Sequence, residues 1–342
     1  MADVNLAAIT AALTKRFADR IANQIQRSVV LTQLLPVEAA KGPNIQWVAR
    51  FGAAVGSTIA DGADVSTFNN DDKKPAVLQY GIYNDAFKVT GLALASAMAA
   101  GEPEELMDLF ADELGDCSER LAKKINVDMY TGAGGASQIH GLTAAAGPLL
   151  DTGVYAGIDR AVDTQWQSNN VDAGAVALTL ALMRETRREI YLACSELPDL
   201  IICHPTVFDQ YGALMDNNRR HVDQIRLRGN VIKLDGGYNV LEFEGTPVVQ
   251  DVDCPAQEML FLNTRHLRIT QLRDNISAVN RAMGMVGLQG TDEARFGAGV
   301  MPVAARINPL AVNGDAYPFQ LISYLQLCSK KPNSCGRLFN LA

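Results

Sequence analysis

The sequence predicts an α+β fold, because strand patterns and helix patterns occupy separate stretches of the chain. Residues 44–51 alternate apolar and polar side chains, which is typical of a half-buried strand. Residues 103–130 carry apolar side chains at steps of three and four, which indicates one long amphipathic helix. Residues 198–262 contain short apolar runs on both sides of a helix pattern, so we expect a compact α/β region there.

The composition is that of a folded protein with a sizeable core. The 342 residues are 48% hydrophobic, which is enough for two subdomains. The net charge of −8 argues against a dedicated nucleic-acid-binding protein. No long apolar run and no N-terminal secretion signal occur, so we expect no membrane partner and a cytoplasmic location. The six scattered cysteines favour buried thiols over a disulfide framework or a zinc site.

An N-terminal helix is predicted for residues 3–34, where apolar side chains recur at helical spacing until Pro36 ends the pattern. Its cations outnumber its acidic residues. The cations are Lys15, Arg16, Arg20 and Arg27, against Asp3 and Asp19. A solvated helix face is a better explanation of this balance than a specific contact with DNA.

A long two-stranded hairpin follows. In the outgoing strand, Ile45, Trp47 and Phe51 lie on one side. The returning strand spans 77–92, and a phase slip at Gly81 suggests a bulge. The polar connection Gly52–Pro75 exceeds the ~12–15 residues of ordinary loops. Because an isolated hairpin is only marginally stable, we expect a neighbouring molecule to cover its apolar side.

The long helix begins at Pro103, next to two glutamates that suit a positive helix end, and stops before Gly132-Ala133-Gly134-Gly135. Its predicted buried stripe is Leu106, Leu109, Phe110, Leu114, Cys117, Leu121 and Ile125. We expect further elements in the order of a loop anchored by Trp166, helix 173–193, strand 198–205, helix 206–215 capped by Thr206, strands 247–251 and 259–262, and terminal strands 319–328 and 336–341.

In this order of elements the chain resembles the major capsid proteins of tailed double-stranded-DNA bacteriophages, which have the Hong Kong type fold. The resemblance covers essentially the whole chain. It is carried by Gly157-Ile158-Asp159-Arg160 with Trp166, the run from Leu200 to Phe208, Pro247-Val248-Val249, Met259-Leu260-Phe261-Leu262 and the closing Asn333-Ser334-Cys335-Gly336-Arg337-Leu338. None of these motifs is specific alone, and their joint order carries the argument.

The resemblance implies a shell protein that forms hexamers and pentamers of an icosahedral phage head around double-stranded DNA, with non-specific DNA contact. It implies an N-terminal arm over 1–43, an extended hairpin loop over 44–95, and a peripheral domain over 96–150 with a spine helix at 103–130. An axial domain over 151–264 and a return to the peripheral domain over 265–342 complete the division. The chain begins at Met1 without the helical leader of many members, so a separate scaffolding protein, or none, is expected. A portal and a cement protein are further possible partners, and assembly is expected in the host bacterial cytoplasm.

The candidate contacts between subunits lie on the hairpin and in a later basic stretch. They are Trp47, Arg50, Phe51, Asp71, Asp72, Lys73, Lys74, Arg219, Arg220, Arg226 and Arg228. Arginine suits paired hydrogen bonds with carboxylates, so the basic stretch favours a neighbouring subunit over phosphate. The lysines are placed at the tip of the arm. Some capsids of this family cross-link a loop lysine, but Asp71 and Asp72 would keep these amines charged, which disfavours that reaction here.

Two alternatives remain open. An encapsulin-like nanocompartment shell shares the fold, and a cytosolic α/β enzyme could use Asp251, Asp253 or Cys203. The sequence contains no phosphate-binding loop, zinc-protease motif or nucleophile elbow. Cys203 and His204 point to opposite faces of a strand, and the two aspartates are expected to be solvated turn carboxylates. We therefore expect no enzyme activity and no cofactor.

Overall fold

The computed structural model describes residues 30–52, 58, 61, 72–92, 95, 103–135, 137–215, 224–227, 230–233, 241–272, 306–309 and 315–342. For 103–112, 114–115, 119, 224–227, 230–233 and 306–309 it describes the backbone alone. Most of the predicted N-terminal helix lies outside these ranges, as do Asp71, Arg219, Arg220 and Arg228.

The described elements alternate between helices and short strands. The helices are α1 (Val30–Leu34), α2 (Pro103–Thr131), α3 (Leu180–Cys194) and α4 (Pro205–Leu214), with 3-10 turns at Thr164–Trp166 and Pro332–Ser334. The strands are β1 (Val37–Ala40), β2 (Ile45–Phe51), β3 (Asp72–Leu78), β4 (Gly81–Thr90), β5 (Val154–Tyr155), β6 (Ile158–Asp159), β7 (Asn169–Val176), β8 (Leu200–Cys203), β9 (Gln224–Leu227), β10 (Asn230–Lys233), β11 (Leu241–Phe243), β12 (Thr246–Gln250), β13 (Met259–Leu262), β14 (Leu267–Leu272), β15 (Arg306–Pro309), β16 (Ala316–Ser329) and β17 (Gly336–Leu341).

The longest strand, β16, organises a sheet that has five strands within the described residues. The order is β1-β14-β16-β15, and β4 also pairs with β16. The β4–β16 ladder is antiparallel and runs from Ala316 opposite Thr90 to Leu325 opposite Gly81. Its buried face carries Tyr83 and Leu321, which belong to the main hydrophobic core.

A second sheet has the order β11-β12-β8-β13-β17-β7 in the part of the chain that the structure describes. All four residues of β8 and all four of β13 are buried, because both faces of this sheet are covered. Helices α3 and α4 cover one face with Met183, Ile190 and Phe208. The other face contributes Ile202, Leu260 and Leu262 to the main core.

Helix α2 connects the two sheets. It spans 29 residues and confirms the helix predicted over 103–130. Its side chains Cys117, Leu121 and Ile125 are buried in one core with residues of both sheets. The chain turns away beyond the helix at Gly134 and Gly135, which have φ angles of +78° and +93° that glycine adopts at little cost.

The predicted hairpin is different in the structure. Its returning segment consists of two strands, because β3 pairs with β2 whereas β4 pairs with β16. Gly81 is the first residue of β4 rather than a bulge. A Cβ at Gly81 would lie 2.9 Å from the backbone at Gln138 and Ile139, so close packing requires glycine there.

Three other local predictions are wrong. A strand, β1, lies between Pro36 and the hairpin, where no element was predicted, and it pairs in parallel with β14. The helix predicted from residue 173 begins at Leu180, capped by Thr179, since residues 173–176 belong to β7. Helix α4 is capped by His204 rather than by Thr206.

The C-terminal segment divides between the sheets. Strands β14, β15 and β16 belong to the first sheet. Strand β17 instead lies between β13 and β7 in the second sheet. The last two strands therefore belong to different sheets, and the predicted domain limits stay predictions.

Candidate subunit-contact site

Strands β2 and β3 form a two-stranded ribbon, called the arm ribbon below, with Ile45 opposite Leu78 and Phe51 opposite Asp72. Its inner face is buried. The residues of this face are Ile45, Ala49, Phe51, Ala76 and Leu78, and they pack against Tyr155, Ala156, Ile158, Trp166 and Cys328 of the same chain. The expectation that only a neighbouring molecule covers this face is wrong for the described part of the arm.

An aromatic contact holds the distal end of the inner face. The Phe51 and Trp166 rings meet edge to face with centroids 5.6 Å apart. The Trp166 Nε1–H donates to the Tyr155 carbonyl oxygen at 3.2 Å, which fixes the indole. Trp47 is half-buried beside this cluster, and its Nε1 has no hydrogen-bond partner within the described residues. Trp47 and Phe51 thus stabilise the arm ribbon on its own subunit.

Polar contacts reinforce the distal end of the arm ribbon. The Lys74 ammonium donates to both Asp163 carboxylate oxygens, at 2.7 and 2.9 Å, and the Gly52 N–H donates to Gln165 Oε1 at 3.0 Å. The hydrogen bond to Asp163 raises the pKa of Lys74, so its amine is charged at neutral pH. Asp72, Lys73 and Lys74 lie in β3, not at the tip as predicted, and Asp163 and Gln165 gave no recognisable sequence signal.

The outer face of the arm ribbon is exposed. It consists of Gln46, Val48 and Arg50 on β2, and of Lys73, Pro75 and Val77 on β3. Val48 is 67% exposed and lies opposite Pro75. Arg50 lies opposite Lys73, so one end of this face is cationic. The outer face therefore combines a short apolar strip with positive charge.

The basic stretch that follows α4 is described only in part. Arg226 lies in β9, opposite Val231 of β10. Its side chain is outside the described atoms, as are Arg219, Arg220 and Arg228. The role of these arginines in subunit contact stays a prediction.

Arg160 of the Gly-Ile-Asp-Arg motif is a fully buried cation beneath the arm ribbon. Its guanidinium donates to the carbonyl oxygens of Thr152, at 2.8 Å, and of Gly147. The Tyr155 ring lies 5.4 Å from its central carbon. Burial lowers the pKa of Arg160 to about 10, so it remains charged at neutral pH. Arg160 thereby fixes the loop that contains Gly147 and Thr152, just before β5.

The residues considered for catalysis have structural surroundings. Cys203 is fully buried, and burial raises the pKa of its thiol. The His204 Nδ1 caps α4 by accepting from the Thr206 N–H. Asp251 is buried and hydrogen-bonded to Tyr130, so the expectation of a solvated turn carboxylate is wrong for it. Within the described ranges, no cluster of three or more His, Cys, Asp or Glu residues could hold a metal ion.

All six cysteines lie in the described ranges and are free thiols. Cys194 is partly exposed and the other five are buried. No helix in the described ranges is long and apolar enough to cross a membrane.

Glu196, which follows α3, connects its own turn with the turns at 263–266 and 330–331. Glu196 accepts from Lys331 at 2.9 Å, from His266 Nε2 at 2.9 Å and from Asn263 at 3.2 Å. Burial acts to raise the pKa of Glu196, but the hydrogen bonds from Lys331 and His266 outweigh it and lower this pKa to about 2. Glu196 therefore stabilises the folded chain in its charged form.

Replacing Glu196 with glutamine should lower the free energy of unfolding by about 1–2 kcal/mol at pH 7. The folded pKa is lower than the unfolded one, so the stabilising effect is full above about pH 4.5. It is lost as the pH falls toward 2. Urea unfolding between pH 7 and pH 3 measures this difference. The matched control is Glu189→Gln, which removes an exposed surface pair with Arg188 and should leave stability within about 0.5 kcal/mol. A constant difference between wild type and Glu196→Gln over this range would contradict the assignment.

Solved structures of phage capsids and of an encapsulin have a similar fold. The capsid of cyanophage A-1(L) matches with a TM-score of 0.68 at 21% identity, covering 99% of each chain. A structure titled Mycobacterium phage Patience matches with a TM-score of 0.52 at 12% identity, covering 99% of this chain and 90% of that chain. The SrpI encapsulin of Synechococcus elongatus gives a TM-score of 0.52 at 12% identity, covering 91% and 86%. These likenesses establish the Hong Kong type capsid fold.

No curated protein matches this sequence. A family model, however, does match it. The model of the family described as the SU10 major capsid protein matches residues 4–342. A match over nearly the whole chain shows the family and its structural role in the virion capsid of a bacteriophage. The chain therefore belongs to the SU10 major capsid protein family.

Proposed function

We propose that copies of this chain form the hexamers and pentamers of an icosahedral phage head that encloses double-stranded DNA. The observation that supports this most is the arm ribbon, which is fixed to its own subunit on one face and exposes apolar and cationic side chains on the other. Contact with DNA would be non-specific, since the net charge of −8 disfavours a strongly basic binding surface. A scaffolding protein, a portal and a cement protein are further partners, and assembly takes place in the host bacterial cytoplasm.

The outer face of the arm ribbon is the proposed contact with a second copy. Val48 and Val77 are 67% and 38% exposed, and Pro75 between them is exposed as well. Burial of a valine that was exposed contributes about 1.5–3 kcal/mol when it is complete. A second copy supplies such burial without a change in the buried inner face.

The charge of this face also suits a second copy. Arg50 and Lys73 place two cations side by side. The chain as a whole carries a net charge of −8, so the remaining surface of an identical subunit is acidic on average. A contact between two different surfaces of the same chain is heterologous and closes into a ring when the rotation allows it. This is the geometry that hexamers and pentamers require.

The peripheral and axial division supports the same assembly. We assign residues 151–264 to the axial domain and residues 44–95 to the extended loop. Phage heads are favoured over an encapsulin compartment, because the family match is to a major capsid protein and the cyanophage TM-score of 0.68 exceeds the encapsulin value of 0.52.

Replacing Val48 with aspartate should abolish closed particles and leave the subunit folded. The new carboxylate lies on an exposed position, so the free energy of unfolding should change by less than about 1 kcal/mol. At the subunit contact, however, the carboxylate would replace an apolar side chain that becomes buried and would oppose the acidic surface of the second copy, so it should weaken association strongly. Negative-stain electron microscopy counts particles, and analytical ultracentrifugation measures the unassembled fraction.

The matched control is Leu192→Asp on α3, because Leu192 is 70% exposed and receives the same chemical change. Loss of particles with Val48→Asp alone supports the arm contact. Normal particles with Val48→Asp would overturn it, and equal loss with both variants would show that the arm face is not distinguished from other surfaces.

A further inference from the structure

Helix α2 meets the second sheet through a buried cluster of polar side chains. Asn126 and Tyr130 lie in the last turns of α2, and both are buried. Asp251 directly follows β12 and is also buried. The Tyr130 hydroxyl donates to Asp251 Oδ2 at 2.7 Å. The backbone of Asp251 is fixed as well, since its N–H donates to the Cys203 carbonyl at 3.0 Å.

A second carboxyl shares the same donor. Asn126 Nδ2 lies 2.5 Å from Asp253 Oδ2 and 3.3 Å from Asp251 Oδ2. The Asp253 N–H donates to Asp251 Oδ1 at 3.0 Å, which holds the two residues together. Asn126 Oδ1 is buried without a hydrogen-bond partner among the described residues. The Asn126 amide nitrogen carries two N–H donors, and it therefore bridges the two acidic groups.

The charged groups around Asp251 do not neutralise it. Tyr130 faces it from α2, and burial together with the adjacent Asp251 raises the pKa of that phenol, so Tyr130 remains a neutral donor. Asp253 faces it from the following turn. The Cys203 thiol of β8 and the Cys254 thiol of the same turn are buried, and Arg337 of β17, near Cys254, is engaged by Glu258. Within the described residues, no cation forms an ion pair with Asp251.

We propose that the Asp251 carboxyl, with Asp253 held beside it, is a proton-operated joint between α2 and the second sheet, in which uptake of one proton by Asp251 stabilises the packed contact and its release weakens that contact. The geometry that carries this is a buried carboxyl, a second acid held beside it by a shared amide, and the absence of a compensating cation in the described surroundings.

The direction of the effect follows from linkage. Burial raises the pKa of Asp251 above its ordinary value of 3.8, although the hydrogen bonds from Tyr130, Asp253 and Asn126 act in the opposite sense. A group with a raised folded pKa binds its proton more tightly in the packed state than in the open state. The protonated joint is therefore most stable at low pH, and this stability is lost as the pH rises through the raised pKa.

Hydrogen exchange of the full-length chain tests the joint. Opening constants are measured for peptides covering the end of α2 and strand β12 from about pH 4 to about pH 8, after correction for intrinsic exchange. In the wild type, opening should become more frequent as the pH rises from 3.8 through the raised pKa of Asp251, by at most about tenfold per pH unit for one proton, and should then level off. In Asp251→Asn the amide does not titrate, so this increase should disappear. Light scattering verifies that the assembly state stays the same across the series.

The matched control is Asp209→Asn, which removes an exposed carboxyl of α4 and should keep the wild-type profile. Tyr130→Phe provides a second test if Asp251→Asn does not fold. It removes a hydrogen bond that favours the carboxylate, so the rise in opening should move to higher pH. Parallel profiles for wild type and Asp251→Asn, or an unshifted profile for Tyr130→Phe, would overturn the proposal.

Discussion

Replacing Ile125 with aspartate is expected to unfold the chain. Ile125 lies in α2 and is buried in the core that both sheets share. An aspartate at this position would place a charge among Leu121, Met129 and other apolar side chains. The loss of apolar burial and the buried charge together should cost more than about 4 kcal/mol, which is a large part of the stability of a typical domain. Circular dichroism and urea unfolding of the purified variant measure this loss.

Lys123→Asp is the control on the same helix, because Lys123 is exposed. It introduces the same residue two positions away and should change the free energy of unfolding by no more than about 0.5 kcal/mol. If Ile125→Asp unfolds at the same urea concentration as the wild type, the buried stripe of α2 is misassigned.

Replacing Trp166 with alanine should release the arm ribbon from the body of the subunit. The indole is buried, contacts the Phe51 ring and donates to the Tyr155 carbonyl. Truncation of a buried tryptophan to alanine costs about 3–5 kcal/mol, and here the loss falls on the contact between the ribbon and its support. Limited proteolysis should therefore cleave the variant between β2 and β3 faster than the wild type, and thermal unfolding should shift downward.

The control for Trp166→Ala is Val162→Ala, which shortens a side chain that is 73% exposed in the same segment. It should leave both proteolysis and thermal unfolding unchanged. Equal cleavage of the arm in wild type and Trp166→Ala would show that the ribbon does not depend on this contact.

The elements that the sequence predicted well are those with a strong local cause. Helix α2 combines Pro103 at its start with a long apolar stripe, and its predicted end differs from the observed one by a single residue. Strands β8 and β13 are continuous apolar runs between turn signals, and they are found as predicted. In these cases the local pattern and the tertiary packing favour the same structure.

The arm was harder to predict, because alternation does not reveal which strand a segment pairs with. The alternation of buried and exposed residues runs from Ala76 to Tyr80 and resumes at Gly81 in the opposite phase, because both Tyr80 and Gly81 are buried. The phase slip at Gly81 in the sequence therefore marks the change of pairing partner from β2 to β16 rather than a bulge. Strand β1 has four residues and little alternation, so nothing in its sequence distinguishes it from a turn.

The candidate site also depends on long-range contacts that a local sequence pattern does not reveal. The apolar side of the outgoing strand was identified correctly, but its cover was assigned to another molecule. The cover lies far along the chain at Tyr155 and Trp166, and a single sequence does not contain this long-range contact. The turn after β12 likewise suggested solvated acids, whereas Tyr130 and Asn126 from α2 enclose Asp251.

The position of the last two strands has a consequence for synthesis. Strand β16 bonds to β4 on one side and to β14 and β15 on the other, while β17 lies between β13 and β7. Both sheets therefore need strands that are synthesised after all their other described strands. A polypeptide that stops before residue 316 lacks the central strand of one sheet and an inner strand of the other, so neither sheet can be completed until residues 316–341 have been translated.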